Sequence, residues 1–130
     1  MIEVLTKKEK LLGYVKGKEY YDEKGNLIGF LEGNTYKMRD GYPILTLDDD
    51  KYLIDEDNKN IGYLEENFFR FPDSWIYKSG LFMLDRGFSI EKGELYNHKG
   101  KVIGFVRGNV ESLIDLDYFG ILVAFYDLGA

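Results

Sequence analysis

A short motif of apolar residue, glycine, aromatic and apolar residue returns along the chain as Leu12-Gly13-Tyr14-Val15, Ile28-Gly29-Phe30-Leu31, Ile61-Gly62-Tyr63-Leu64 and Ile103-Gly104-Phe105-Val106. The first two copies stand 16 residues apart, too short a period for helical or propeller-blade repeats. Seven residues ahead of the glycine stands Asp22, Asp55 or Asn97, and four ahead stands Gly25, Asn58 or Gly100. Glycine and asparagine tolerate positive φ at low cost, so this second position marks a turn. A further turn signal follows each copy at Gly17-Lys18, Gly33-Asn34, Glu66-Asn67 and Gly108-Asn109, and in the first three units an aromatic comes next, Tyr20, Tyr36 or Phe69. Each unit therefore reads as strand, tight turn, strand, tight turn.

Weaker copies extend the series. Around Met38, Gly41 holds the turn position while Leu45 replaces the strand glycine; Pro43 points to an edge strand or to a strand start, because proline donates nothing to a ladder. Residues 6–10 form another degenerate turn half. Between Phe71 and Leu95 the period is lost, although Tyr77-Lys78-Ser79-Gly80 and Asp85-Arg86-Gly87 still read as turns, so a divergent unit with an insertion is expected at about 71–95. Apolar stretches between turns are too short for stable helices. Little or no helix is expected; residues 109–118, where Asn109 could cap a short turn, are the one stretch that would allow it, and a turn there is less expected than none. The final run Phe119-Gly120-Ile121-Leu122-Val123-Ala124-Phe125 reads as a strand that either closes on the first strands or, left exposed, drives dimerisation.

Length and composition fit one all-β domain over residues 1–130. The chain has 11 Tyr, 9 Phe, 1 Trp and 15 Gly, aromatics for pleated strands and glycines for turns. Without cysteine it has no disulfide, thiolate metal site or thiol redox role. A net charge of −6 argues against nucleic acid, whose phosphates reward clustered Lys and Arg. Lys7, Lys8 and Lys10 precede no long apolar run, and the longest apolar stretch falls far short of a membrane helix. The expectation is a cytoplasmic protein with no membrane partner.

No catalytic constellation stands out. The single histidine, His98, falls in a turn equivalent to Glu23 and Glu56, and no serine lies in a nucleophile elbow nor any glycine-rich loop before a Lys-Ser pair. Asp48-Asp49-Asp50 and Asp55-Glu56-Asp57 are oxygen-rich, yet an EF-hand register from Asp48 puts Leu53 where glycine belongs and Lys59 where glutamate closes the loop. From Asp55 the closing Glu66 fits, but Lys59 takes a ligand place and Asn60 the glycine's. Neither a metal nor a cofactor is expected. Tyr14, Phe30, Tyr63 and Phe105 alternate with glycine on the face of Leu12, Ile28, Ile61 and Ile103, which makes them core residues sooner than a stacking surface for sugars.

The most suggestive stretch is residues 68–77, where the repeat breaks. Arg70, Phe71, Asp73, Trp75 and Tyr77 gather the residue types enriched at binding hot spots around the only tryptophan. A loop that merely plugs the open end of the sheet would use the same residues.

The units Tyr21-Asp22-Glu23-Lys24-Gly25-Asn26-Leu27-Ile28-Gly29-Phe30 and Tyr96-Asn97-His98-Lys99-Gly100-Lys101-Val102-Ile103-Gly104-Phe105 resemble the repeats of the bacterial β-flower proteins. In that family, hairpin petals surround a pseudo-symmetry axis. The resemblance covers roughly residues 11–70 and 94–109 and departs from the family between them and in the tail. It implies repeated antiparallel hairpins closed around an axis, flower-like or barrel-like, with about 10 to 12 strands, and lends no active site. The expected function is a non-enzymatic protein-interaction or structural module, of inhibitor or immunity type in one concrete version, with a protein partner or self-association. The alternative is a small-ligand or glycan-binding module that uses the aromatic loop.

Overall fold

The computed structural model describes residues 1–66, 68–70, 87–91, 93–97, 100–126 and 128, excepting the side chains of 87–91. Its turns show how the sequence makes the elements. The Asp22 carboxylate accepts hydrogen bonds from the N–H groups of Lys24 and Asn26 at 2.9 and 2.8 Å, while the Asp22 carbonyl accepts from Gly25 at φ +85°. The same five-residue turn recurs at Thr6, Asp48, Asp55 and Asn97, each side chain capping the N–H four residues on. At Met38 the backbone bonds remain, and the Asp40 carboxylate accepts from the Tyr42 N–H at 3.0 Å. The left-handed residue is Glu9, Gly25, Gly41, Lys51, Asn58 or Gly100. Asp48, Asp55 and Asn97 thus shape turns by the local side-chain bonding that favours these residues there.

Between the turns lie twelve described strands: β1 (Ile2–Thr6), β2 (Leu11–Lys16), β3 (Glu19–Asp22), β4 (Leu27–Glu32), β5 (Thr35–Met38), β6 (Pro43–Leu47), β7 (Tyr52–Asp55), β8 (Asn60–Glu65), β9 (Phe68–Arg70), β10 (Gly87–Glu91), β11 (Glu94–Asn97) and β12 (Val102–Arg107). Every pairing is antiparallel between sequence neighbours, and β1 also pairs with β12 through Glu3↔Arg107 to Thr6↔Gly104, so the hydrogen-bonded order returns to its start. Pro43 opens β6, which is paired on both sides and is no edge. Residues 71–86 of the divergent unit lie outside the described residues; β10 and β11 account for most of the remainder.

One device repeats along the sheet. In five strand pairs an apolar residue is skipped by the register: Leu12, Ile28, Ile44, Ile61 and Ile103. Such a bulge interrupts strict alternation and sets two successive side chains on one face. The skipped residue and the one after it both turn inward, and the next faces outward. The expectation that Tyr14, Phe30, Tyr63 and Phe105 belong to the core is therefore corrected: they are half-buried and lie outside the core cluster, whereas Val15, Leu31, Leu64 and Val106 are inside it. Strict two-residue periodicity had put the aromatics on the face of Leu12 and its equivalents; the bulge puts them on the other.

Inside, Val4, Tyr20, Tyr36, Leu53, Phe69 and Leu95 come one from each odd-numbered strand, and all are buried. Four of them sit opposite a glycine: Val4↔Gly13, Tyr20↔Gly29, Leu53↔Gly62 and Leu95↔Gly104. A large side chain facing a missing one leaves room for something more.

That something is a helix. After a single 3-10 turn at Val110–Ser112, helix α1 runs from Asp115 to Tyr126. This corrects two expectations, that the chain has little or no helix and that residues 119–125 form a strand. Tyr118, Phe119, Gly120, Ile121 and Leu122 are consecutive and all buried. At 3.6 residues per turn, five successive positions point all the way round the axis, so α1 is covered on every side. Its neighbours agree: Phe119 lies 6.5 Å from Phe69, Phe125 lies 6.5 Å from Tyr20, and the Tyr126 hydroxyl donates to the Leu5 carbonyl at 2.8 Å. Asp115 and Asp117 occupy the first turn, where the helix dipole favours acids. The Asp117 carboxylate also accepts from the Ile114 N–H at 2.9 Å, which is half of a capping box. Asn109, the residue that could have capped a turn here, makes no side-chain cap hydrogen bond; the Ser112 hydroxyl donates to its carbonyl instead.

Candidate functional site

Burial leaves the interior chemically quiet. Among the described residues no charged or non-aromatic polar side chain is buried. Burial pushes the phenols of Tyr36 and Tyr126 up to about 12, and raises those of Tyr20 and Tyr118, with the charge of Asp117 adding to both. Burial thus favours the neutral phenol in each. Among the described residues no three acids, histidines or cysteines converge as a metal cage would require.

Two clefts open where α1 enters the sheet. One of about 250 Å³ lies between the Asp48–Lys51 turn and the helix start, lined by Leu47, Ile114 and Leu116 with Asp49 above them. Its polar groups answer one another: Lys51 Nζ meets Asp115 Oδ2 at 3.1 Å and Asn34 Nδ2 donates to Asp49 Oδ1 at 3.3 Å. The other, about 300 Å³, lies between Met1, Val15, Gly17 and Leu113.

The outer face of β7 to β9 is different. Phe69 points inward and is fully buried, so Phe68 and Arg70 point outward. The register lines up Tyr52↔Tyr63 and Tyr63↔Arg70 across β7, β8 and β9. Tyr52 is 43 % exposed and the Arg70 side chain 36 %. The Arg70 guanidinium carbon sits 4.4 Å from the Phe68 ring centre, within cation–π range. Glu65 Oε1 lies 3.6 Å from Arg70 Nε, too far for a hydrogen bond. That Nε is buried and has no hydrogen-bond partner. An aromatic pair, a stacked arginine and a loosely placed carboxylate thus share one surface.

Of the residues expected at the site, Arg70 is therefore placed on this outer face, while Phe71, Asp73, Trp75 and Tyr77 lie outside the described residues, as does His98. Sequence reasoning missed Tyr52 and Glu65 and assigned Tyr63 to the core. The available signal was position: each stands an even number of residues from an outward-facing neighbour once the bulge at Ile61 is counted. No helix among the described residues is long and apolar enough to cross a membrane. Compared with models of protein families, with curated proteins and with solved structures, the chain matches none.

Proposed function

We propose that this is a non-enzymatic binding module whose hairpins close about a pseudo-symmetry axis, flower-like, and that it engages a protein partner through the outer face of β7 to β9 and the residues Phe71, Asp73, Trp75 and Tyr77 that follow in sequence. The single observation that supports this most is the in-register row Tyr52, Tyr63 and Arg70, with Phe68 under the guanidinium. Tyrosine and arginine are enriched at the few interface positions that dominate binding energy, because they offer large rigid area with a polar end. The interior supports the same view, since α1 occupies the space a lumen ligand would need. An acidic chain acting in the cytoplasm as an inhibitor or immunity-type protein is one concrete form, the charge of −6 steering it toward a basic target.

Capture from native cell extract tests this, with the wild type beside Tyr63→Ala and Trp75→Ala after both are shown to melt like the wild type. A partner held by the wild type and lost by Tyr63→Ala supports the module on this face, and loss by Trp75→Ala supports the part assigned to residues 68–77. Absence of any partner specific to the wild type refutes it, and a glycan or small ligand held by the aromatic loop then takes its place.

A further inference from the structure

Ile114 stands where isoleucine has least to gain. It is the N-cap of α1: its carbonyl accepts from the Asp117 and Tyr118 N–H groups, and its own N–H donates to the Asp117 carboxylate. Serine, threonine, aspartate and asparagine are favoured at that position, and isoleucine is among the poorest residues there. Burial does not compensate, for Leu113 and Leu116 to either side pack against the core while Ile114 is 64 % exposed. A residue that breaks a local rule without a gain in packing is where function is to be sought.

Ile114 forms one wall of the cleft of about 250 Å³ beside the Asp48–Lys51 turn. Leu47 and Leu116 give that cleft an apolar floor, and its charged groups are three carboxylates, Asp48, Asp49 and Asp115, against one ammonium, Lys51. Lys51 is already held by Asp115 at 3.1 Å. Such a space suits an aliphatic stem that ends in a positive charge, because a lysine lays its stem on apolar surface and keeps its head among polar groups. The opposite end of the sheet offers that group. Successive turns of an antiparallel sheet alternate between its ends, so the first turn, Thr6–Lys10, lies away from the sixth, Asp48–Lys51. The first turn carries three ammonium groups, Lys7, Lys8 and Lys10, against one carboxylate, Glu9, and all four residues are exposed. Among the described residues none of these lysines joins an ion pair. Turn and cleft are thus reciprocal in charge.

We infer that the Thr6–Lys10 turn of a second copy of this chain docks in the cleft, Lys7 or Lys8 laying its stem on Ile114 and Leu116 and its ammonium at Asp49. This goes beyond the outer face of β7 to β9 and does not rest on it. Turn and cleft are different patches, so the contact is heterologous: every pair keeps a free turn at one end and a free cleft at the other, and copies add head to tail. Exposed charge contacts are weak and screened by salt, and the net charge of −6 on each copy opposes association. The assembly therefore forms at high protein concentration and low ionic strength.

Sedimentation of the full chain tests this, in about 50 mM and about 500 mM salt and at protein concentrations up to about 1 mM. At low salt the average mass climbs with concentration past that of a dimer, and high salt weakens the association by about fivefold or more. Lys7→Gln with Lys8→Gln disables the turn, and Ile114→Ser with Asp49→Asn disables the cleft. Each of these variants alone stays monomeric, while an equal mixture of the two forms one-to-one pairs and nothing larger. Ile114→Ser by itself weakens association about tenfold through the lost apolar contact, yet raises Tm because serine is the better cap. A Tm that falls gives Ile114 a structural role and overturns the inference. So does a wild type that stays monomeric, an assembly that stops at the dimer, or a mixture that stays monomeric or grows as the wild type does. A monomeric wild type that binds acetyl-tetralysine-amide, with signals shifting at Leu47, Ile114 and Leu116, excludes the second copy and gives the cleft to a foreign basic segment.

Discussion

Replacing Gly120 by alanine decides by its sign whether α1 is enclosed. In an exposed or loosely packed helix this change stabilises by about 1 kcal/mol, because alanine costs less backbone entropy. Here an added Cβ meets the Tyr20 hydroxyl and Cζ, with Cε1 at 3.1 Å. Tyr20 has nowhere to retreat: it is fully buried, edge-on to Tyr36 at 5.5 Å, and tilted against Phe125 at 6.5 Å. Overpacking of this kind costs about 1–3 kcal/mol and more where neighbours are rigid. Set against the helix gain of about 1 kcal/mol, the rigid-neighbour end of that range leaves a net destabilisation of about 2 kcal/mol. For a domain of this size that lowers Tm by on the order of 5–10 °C. Urea unfolding followed by circular dichroism reads the same loss as a lower midpoint at unchanged slope. Tyr20→Leu costs stability on its own through the cavity it opens, but in that background the alanine methyl has room. Gly120→Ala should then be neutral or stabilising, a coupling of about 2 kcal/mol between two residues 100 apart in sequence. A Gly120→Ala single variant that melts above the wild type refutes the enclosed helix.

Three other changes probe the turns and the inner tyrosines. Glu9 holds φ +63° in a turn where glycine serves other units. Glu9→Gly should therefore raise stability by about 0.5–1 kcal/mol in thermal melts. The Asp22 carboxyl is held below its usual range, first by the hydrogen bond from the Asn26 backbone. Its contribution is present above the unfolded value of about 4 and lost as pH falls through the lower folded one. The midpoint gap between wild type and Asp22→Ala should thus close in acid, and a gap that persists to pH 2 denies the carboxylate its role. Tyr126→Phe removes the donor to the Leu5 carbonyl and should cost about 1–2 kcal/mol in urea. With Tyr36 and Tyr126 pushed up to about 12, the stability they lend is full below pH 10 and lost as pH rises to 12. Spectrophotometric titration should find these phenols ionising only as the chain unfolds.

How legible this was depended on whether the signal was local. The turns were, because Asp22, Asp55 and Asn97 bond to backbone within four residues and Gly25, Asn58 and Gly100 take the positive φ their types favour. Asp48 escaped because its turn puts Lys51 at the left-handed position, a residue type that sends no such signal. The facing of the motif aromatics was illegible for a different reason. A bulge is a property of two strands at once, and one inserted residue exchanges the faces of everything beyond it. The helix failed on composition: Phe119 to Phe125 is apolar without a period, which suits a buried strand and a buried helix alike. Asp115 and Asp117 were the missed cue, acids in a first turn ahead of an apolar run. Of the candidate site, Arg70 was found through its residue type. Tyr52 and Tyr63 depended on the register.

The glycines and the helix are one solution to one problem. Strands about 4.8 Å apart and tilted about 40° put the backbone of a twelve-membered ring about 12 Å from its axis. Roughly eight strands fill their interior with side chains and roughly sixteen leave a channel. Twelve leaves space for one further element, and a helix with its side chains is about 10–12 Å across. It fits only where the wall is thin. Gly13 gives way to Phe125, whose Cε1 would stand 2.6 Å from an added Cβ, and Gly104 gives way to the Tyr126 hydroxyl. At Gly13 and Gly104 the repeated glycine therefore serves the helix, while at Gly29 it makes room for the Tyr36 hydroxyl of the neighbouring strand, and the helix in turn commits the inward residues around it to packing. What the outward half carries, Tyr52, Tyr63, Phe68 and Arg70 among it, answers to no such demand. The proposed recognition surface lies there, on alternate residues that the core leaves free.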